Sequence, residues 1–335
     1  MLCGKMAFIR GKLEPIAERL VFYGKGAVCD IAPRTPFYAY RERLFARLGE
    51  AASEQPEIFK RVNLCNQLSA ATAANPECSL RRISRRSSRY FYDLNEYLKY
   101  FPAHLRVDYL FGDITHVPGH ASLVKSRPIS RENVNSVLLN LDKLRHFKLT
   151  SDRRAWNDKA GRAVWRGGIH NRLRTALVRR HAGNPAADVG HIGEPFEGIA
   201  PKSFMTREEQ MAYRYIISVE GNDVATNLKW IMASGSVCLM TRPRFETWFL
   251  ESRLVPDLHY VELADDFSDL DEKIDALEAD PDRALRIVAN ANAYVRHMAD
   301  RKLERIVSLL VLQKYFEATA QLPPSTFSPL FFGES

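Results

Sequence analysis

The residues best suited to chemistry lie where an apolar run ends in glycine and polar side chains. The β-branched run 216–219 leads into Glu220 and Gly221, then Asn222 and Asp223, and apolar residues at helical spacing follow. This order predicts a strand, a capped turn and a helix. A helix that begins just after a strand presents free N–H groups and the positive end of its dipole. Phosphate groups commonly bind at such a helix N-terminus. Two interpretations stay open: a phosphate site, or a helix that Asp223 merely caps.

A second stretch of this kind begins with the short apolar run 163–165 and continues as Arg-Gly-Gly from Arg166. Glycines such as Gly167 let the backbone approach a ligand closely. Arg166 and Arg172 carry planar guanidinium groups that match phosphate oxygens. A basic helix is expected over 171–180. The stretch is therefore a second candidate for binding an anion.

Strand-like and helix-like segments alternate from residue 163 onward, and this alternation positions both stretches. Aliphatic and β-branched runs indicate the strands, and apolar residues three and four apart indicate the helices. The expected strands are 163–165, 213–219, 237–240 and 259–263, and the expected helices are 171–180, 225–233, 270–278, 282–298 and 303–318. Such alternation predicts an α/β fold with a parallel sheet.

The first 150 residues carry the excess of positive charge. They hold 24 Lys+Arg and 14 Asp+Glu, whereas the remainder of the chain holds 24 and 26. Residues 41–100 are predicted to be helical, and short strands are expected at 107–111 and 136–141. The five arginines that would form a stripe on one helix are Arg81, Arg82, Arg85, Arg86 and Arg89. This stripe is either a solvated face or a surface that meets phosphates or an anionic membrane.

Length and composition narrow the class of protein. A chain of 335 residues suggests two domains, and the polar stretch 151–159 marks a boundary near residue 150. With 46% hydrophobic and 26% charged residues, it is neither disordered nor collagen-like. No apolar stretch reaches the roughly 20 residues of a membrane span. The five cysteines include no CxxC pair, which indicates free thiols and a cytoplasmic protein.

The motifs, taken in their order, resemble the family 90 glycosyltransferases. The residues that carry the resemblance are Trp165-Arg166-Gly167-Gly168 with Arg172, then 213–215, 220–229, 234–237, 254–261 and 266–270. The family includes Rumi-type protein O-glucosyltransferases, fungal capsule-associated xylosyltransferases and bacterial lipopolysaccharide-modifying enzymes. The similarity covers residues 105–300 and is closest to the bacterial branch, judging by the stretch that begins at Glu220.

The resemblance implies a GT-B-like α/β fold, in which two Rossmann-like domains face a cleft. Residues 1–150 would form an acceptor-side domain with a helical N-terminal segment and a basic surface. Residues 151–300 would bind the nucleotide-sugar. Residues 301–335 would form a C-terminal helix and tail that cross back to the first domain.

The family's catalytic base is an aspartate that follows a strand in the N-terminal domain, and here the matching residue is Asp113. A carboxylate in this role takes the proton of the acceptor hydroxyl as that oxygen attacks the anomeric carbon. The proline that usually follows two residues later is absent, since Thr115 occupies its place. His116 and Asp108 therefore remain alternative candidates.

Other positions match the donor and substrate contacts of the family. Those implied to bind the nucleotide-sugar are Arg166, Gly167, Arg172, Glu220, Gly221, Asn222, Asp223, Thr226, Asn227 and Lys229. Those implied to contact the sugar or the acceptor are Lys125, Ser126, Arg127 and His116. The resemblance implies no metal and no other cofactor, with a UDP-sugar as donor substrate.

The predicted function is an inverting, metal-independent glycosyltransferase. It would move a hexose or pentose from a UDP-sugar to a hydroxyl of an anionic glycan or glycolipid, such as lipopolysaccharide core or capsule. The expected location is the cytoplasm, with peripheral contact to the inner face of an anionic membrane. Two alternatives stay open: a basic nucleic-acid-binding protein on an α/β scaffold, and a homologue that binds the donor without catalysing transfer.

Overall fold

The computed structural model describes residues 2–70, 72, 76–147, 149 and 151–333, with side chains from Ile16 onward except that of Ser53. The helices are α1 (Leu2–Ile31), α2 (Thr35–Glu50), α3 (Pro56–Cys65), α4 (Ser88–Leu98), α5 (Lys143–His146), α6 (Arg172–His181), α7 (Arg207–Gln210), α8 (Leu228–Met232), α9 (Leu270–Ala279), α10 (Pro281–Met298), α11 (Arg301–Ala318) and α12 (Ser328–Phe332). The strands are β1 (Cys78–Ser79), β2 (Arg106–Val107), β3 (Tyr109–Leu110), β4 (Ser122–Val124), β5 (Ser126–Pro128), β6 (Ser136–Leu138), β7 (Ala160–Gly167), β8 (Ala187–His191), β9 (Tyr213–Ser218), β10 (Val237–Thr241), β11 (Phe245–Thr247) and β12 (Val261–Leu263).

A five-stranded parallel sheet organises the second half of the chain, in the order β12-β10-β9-β7-β8. Successive side chains of each strand point to opposite faces. In β9, Tyr215 and Ile217 belong to a hydrophobic cluster completed by α6, α9 and part of α10, whereas Ile216 belongs to a second cluster with α8 and α11. Helices cover both faces, which explains why these strands are apolar throughout. The predicted α/β alternation is confirmed.

A smaller parallel sheet, in the order β3-β4-β6, lies in the first half. Two antiparallel pairs complete the strands. β1 pairs with β2, and β5 pairs with β11 so that Arg127 lies opposite Glu246. The β5–β11 pair therefore connects the segment between β4 and β6 of the small sheet to the segment after β10.

Helix α11 packs against α3 and α4 from the first hundred residues. The side-chain amide of Asn66 donates to the carbonyl of Val311 at 3.0 Å, and Tyr97 donates to Glu304 at 2.7 Å. Parallel sheets covered by helices are compatible with a Rossmann-like glycosyltransferase fold. The division of the chain at residues 150 and 300 stays a prediction.

The prediction of a helix through residues 41–100 is wrong for the described residues between α3 and α4. Pro76 cannot donate a helical hydrogen bond, and Cys78 and Ser79 pair with β2 instead. The Leu80 N–H also donates to the carbonyl of Leu105 at 3.0 Å.

The predicted stripe of five arginines on one helix is therefore wrong as well. Arg81 lies in a turn, Arg86 in a bend, and Arg82 and Arg85 on irregular backbone, and of the five only Arg89 is helical, in α4. We refer to residues 81–89 as the basic segment.

Two further features bear on the sequence predictions. Cys29, Cys65, Cys78 and Cys238 are free thiols, as expected, and the side chain of Cys3 lies outside the described residues. Among the helices described, none combines the length and apolarity needed to cross a bilayer.

Candidate functional site

Asp113 lies just after β3, where the chain turns at Gly112. Gly112 has φ of 121°, a conformation that residues with a Cβ rarely adopt. The Asp113 side chain is one-fifth exposed (20%) and accepts a hydrogen bond from Lys125. Arg145 and Asn222 each approach its carboxylate oxygens at 3.4 Å. The predicted base is thus surrounded by cationic and amide donors while it remains accessible.

Lys125 connects Asp113 to the second predicted stretch. It follows β4, is 1% exposed, and its Nζ also lies 2.7 Å from Oδ2 of Asp223. The Ser126 hydroxyl donates to the same oxygen at 2.6 Å and accepts from the Ile114 N–H at 3.2 Å. One buried cation therefore pairs two carboxylates that are far apart in the sequence, which stabilises all three charges away from water.

These contacts determine the protonation state of Asp113. Burial raises the pKa of its carboxyl group, but the hydrogen bond and positive charge of Lys125, with Arg145 and Asn222, outweigh burial. The net result is a pKa below the ordinary value of an aspartate. Asp113 is therefore ionised at neutral pH and can accept a proton from a hydroxyl group placed against it.

Asp223 does not cap a helix. Its carboxylate is 2% exposed and faces Lys125 and Ser126, and the next helix, α8, starts only at Leu228. The expected helix over 225–233 is therefore a single short turn, Leu228–Met232, whose N-cap Asn227 makes no side-chain capping bond. The long helix start directly after the strand is therefore not formed, because the residues between β9 and α8 form a loop. Phosphate binding at this loop stays a prediction.

That loop lies at the carboxyl ends of β9 and β10. A small cleft there is lined by residues that include Ser218, Glu220, Val224, Leu228 and Thr241. The crevice outside the carboxyl ends of parallel strands is where ligands bind in open α/β sheets. The structure therefore offers a candidate donor site on the loop whose Asn222 contacts Asp113.

Glu220 is a titratable group that lines this cleft. One oxygen of its carboxylate accepts from the N–H groups of Arg244 at 2.9 Å and Phe245 at 3.2 Å. Burial raises the pKa of Glu220 to about 7, against the opposing effect of those two N–H groups. The side chain holds the 244–245 segment against the strand end and changes charge close to neutral pH.

Arg166 is not a free donor for phosphate. Its guanidinium pairs with the Asp188 carboxylate at 2.8 Å and donates to the carbonyls of Asp188, Trp165 and Ser203. Gly167 is required for packing, because a Cβ there would lie 2.8 Å from the Trp165 ring. The expectation that Arg166 reaches a ligand is therefore at odds with its contacts, which fasten β7 to β8.

Arg172 and Arg174 differ in their surroundings. Arg172 is exposed at the start of α6. The Arg174 guanidinium donates to the carbonyls of Gly168, Val219 and Glu220 at 3.0–3.1 Å. Burial lowers the pKa of Arg174 to about 10, so it remains a cation. Sequence reasoning missed Arg174, and only its place on the same side of the helix as the cap Asn171 could have indicated it.

Two other predicted contact residues lie in the interior. Arg127 is 1% exposed and pairs with Glu246, with 2.8 Å between its Nε and a carboxylate oxygen. Its other donors reach the carbonyls of Ser136 and Leu64 at 2.9 and 2.7 Å. Lys229 is fully buried, with its Nζ 2.5 Å from Glu251. Their partners identify both residues as internal ion pairs in this structure.

The alternative bases lie outside the Lys125 cluster. Asp108 accepts from the N–H of Glu77 at 3.0 Å and lies 3.5 Å from His120. His116 is exposed on the loop after Asp113. The structure thus brings together five of the predicted site residues and places the other candidates elsewhere. The five are Asp113, Lys125, Ser126, Asn222 and Asp223.

Comparison with known proteins identifies the family of this chain. The model of the family described as Glycosyl transferase family 90 matches residues 122–318. The chain is 40% identical over 309 residues to "O-glucosyltransferase LpsA" of Dichelobacter nodosus, covering 89% of this chain and 95% of that protein. It is also 27% identical over 176 residues to "Protein O-glucosyltransferase 3" of Rattus norvegicus, covering 50% of this chain and 34% of that protein.

These matches first define a class, the enzymes that transfer sugars. Within that class, the chain belongs to glycosyl transferase family 90, and the resemblance found in the sequence is confirmed.

Proposed function

We propose that this protein is an inverting, metal-independent glycosyltransferase that moves a sugar from a UDP-sugar to a hydroxyl of an anionic glycan or glycolipid. The observation that carries the proposal is the ionised, partly exposed Asp113, held by Lys125 opposite Asn222 of the candidate donor loop. The name of the Dichelobacter relative, O-glucosyltransferase LpsA, favours glucose as the sugar and lipopolysaccharide as the acceptor.

The proposed fold is a GT-B arrangement. The small parallel sheet would present Asp113 on the acceptor side, and the five-stranded sheet would hold the donor at the carboxyl ends of β9 and β10. The Lys125 bridge between Asp113 and Asp223 supports this arrangement, because it joins one residue from each side.

The mechanism follows from the positions of these groups. The acceptor hydroxyl gives its proton to Asp113 as its oxygen forms a bond to the anomeric carbon. The bond from that carbon to the diphosphate breaks on the opposite face, and UDP leaves with the electron pair. Attack from one face and departure from the other inverts the anomeric centre. Exposed guanidinium groups such as Arg172 are suited to stabilising the departing diphosphate.

Asp113→Asn tests the base directly. The amide cannot take a proton, so we expect turnover of UDP-glucose with acceptor to fall by about 10²–10⁴-fold. UDP binding, followed by calorimetry, should change little, because Asp113 does not line the cleft at β9 and β10.

Asp108→Asn and His116→Ala are matched controls from the same loop region, and both should retain transfer. Full activity of Asp113→Asn, or inactivity of Asp108→Asn with normal folding, would move the base assignment to another residue. The absence of any transfer by the wild-type chain that still binds UDP would instead identify a donor-binding homologue without activity.

A further inference from the structure

Four helices each contribute one arginine to a single pocket close to Asp113. The pocket has a volume of about 290 Å³ and is lined by Arg19 of α1, Arg89 of α4, Arg145 of α5 and Arg207 of α7. Thr226, Trp230 and Leu144 complete its wall. We call it the arginine pocket. No carboxylate belongs to its lining among the residues that the structure describes.

The charge behind the pocket is also unusual. Asp142 has φ of 58° and a fully buried side chain, whose oxygens lie 3.4 Å from Arg89 and 3.9 Å from Arg145. Neither oxygen has a hydrogen-bond partner within the described part of the chain. Asp142 therefore holds two guanidinium groups at the pocket by charge alone.

Acidic groups near the pocket offset part of its charge. Beyond Asp142, Asp113 lies 3.4 Å from Arg145 but is already paired with Lys125, and Glu18 lies near Arg207. Like charges that converge on one cavity repel one another, and the repulsion is relieved when an anion enters. Guanidinium groups from several directions suit a tetrahedral phosphate, whose oxygens accept paired N–H donors.

The position of the pocket indicates which molecule carries the anion. Arg145 lines the pocket and contacts the Asp113 carboxylate, so a group bound there lies next to the acceptor hydroxyl that Asp113 would deprotonate. The cleft at the carboxyl ends of β9 and β10 shares no lining residue with the pocket, although Thr226, a predicted donor contact, lies in the pocket wall. We infer that the arginine pocket binds a phosphate group of the acceptor and thereby selects phosphorylated glycans. This inference rests on the proposed function.

The test uses inorganic phosphate as the probe, titrated calorimetrically into the whole protein with and without saturating UDP. Phosphate should bind in both conditions, with affinities within about threefold of each other. Arg89→Gln should weaken binding at least tenfold, and Arg89→Lys should retain part of it, because the charge remains while the planar donor pair is lost.

Arg19→Gln provides a variant that should fold normally, because Arg19 lies on the exposed part of α1. It should weaken phosphate binding and leave UDP affinity unchanged. Arg296→Gln, an exposed arginine of α10, is the matched control and should bind phosphate like the wild type.

Three results would overturn the inference: no phosphate binding, phosphate binding that saturating UDP abolishes, or binding that none of the pocket variants alters. The second result would assign the pocket to the donor diphosphate. The proposed function fails separately, if UDP-sugar turnover is absent while phosphate binding behaves as described.

Discussion

At the scale of single residues, the site depends on how buried charges are paired. Lys125 holds Asp113 in its ionised form and simultaneously neutralises Asp223. Glu220 shows the opposite effect, because its carboxylate lacks a cation of that kind and burial raises its pKa to about 7. Two carboxylates near the same loop thus titrate in different pH ranges, because Asp113 is paired with a cation whereas burial dominates at Glu220.

Glu220 gives a prediction about stability and pH. Its pKa in the folded protein lies above the ordinary glutamate value of 4.5, so the folded state binds the proton more tightly than the unfolded state. The stabilisation that Glu220 gives the folded state is therefore fully present below about pH 4.5 and is lost as the pH rises through about 7.

Glu220→Gln should remove this dependence. In the wild type, the titration of Glu220 should lower the unfolding free energy between about pH 5 and pH 7.5. In the variant this decrease should be smaller by about 2–3 kcal/mol, as measured by urea denaturation. The glutamine oxygen can still accept from the N–H groups of Arg244 and Phe245, so the variant changes charge rather than contacts. Identical pH slopes for the two proteins would contradict the raised pKa.

At the scale of elements, the start of α6 fastens the Gly168 loop to the end of β9. Asn171 accepts from the N–H of Arg174 at 3.0 Å as the N-cap, and its amide donates to the carbonyls of Glu220 and Gly221 at 2.8 and 2.7 Å. One side chain therefore caps the helix and positions the candidate donor loop.

Two substitutions separate these roles. Asn171→Ala loses both and should lower the unfolding free energy by about 1–2 kcal/mol. Asn171→Ser keeps a capping oxygen but is too short to reach the loop carbonyls, so most stability should remain. UDP affinity should fall in both variants if the loop binds the donor, as measured by calorimetry. Unchanged UDP affinity in both would mean that the loop is not positioned through Asn171.

At the scale of the whole molecule, the β5–β11 pair and α11 connect the two halves of the chain. Arg127 and Glu246 form the buried ion pair at the centre of the β5–β11 pair, and neither is more than 5% exposed. Breaking a buried pair leaves an uncompensated charge, whereas replacing both partners removes the need for compensation.

Arg127→Met alone should therefore cost about 3–5 kcal/mol of unfolding free energy. The double variant Arg127→Met with Glu246→Leu should recover a substantial part of it, in a double-mutant cycle followed by urea denaturation. A double variant whose loss equals the sum of the two single losses would show that the residues act independently.

The basic segment gives a prediction about the acceptor side. Arg81, Arg82 and Arg86 are exposed, whereas Arg85 pairs with Asp30 at 2.8 Å and Arg89 lines the arginine pocket. Each basic residue near an anionic membrane contributes about 1 kcal/mol. The triple variant to glutamine should thus bind vesicles rich in phosphatidylglycerol roughly 100-fold less well, by cosedimentation.

UDP affinity should be unchanged in that triple variant, because the basic segment does not line the cleft at β9 and β10. Pure phosphatidylcholine vesicles provide the uncharged control. Equal vesicle binding by wild type and variant would remove the membrane from the proposed role of the segment, and a joint loss of UDP affinity would show that donor and acceptor surfaces are not separate.

The sequence by itself determined most of the alternation from β7 to α11 and the motifs of a family 90 glycosyltransferase, but it missed β8 and α7. Those features depend on local periodicity and on short runs of residues, which are visible without a fold. The same reasoning failed for the described residues among 66–87 and for α8, where pairing with β2 and the Lys125–Asp223 contact override helical spacing.

Only the tertiary structure decided which charged residues are partners. Arg166 pairs with Asp188, Arg127 with Glu246, and Lys229 with Glu251, so three cations that resemble ligand contacts in the sequence are internal. In the same way, the four arginines of the arginine pocket come from four helices spread over most of the chain. An ion pair or a pocket is set by distance in space, and folding brings together residues whose separation in sequence carries no sign of that contact.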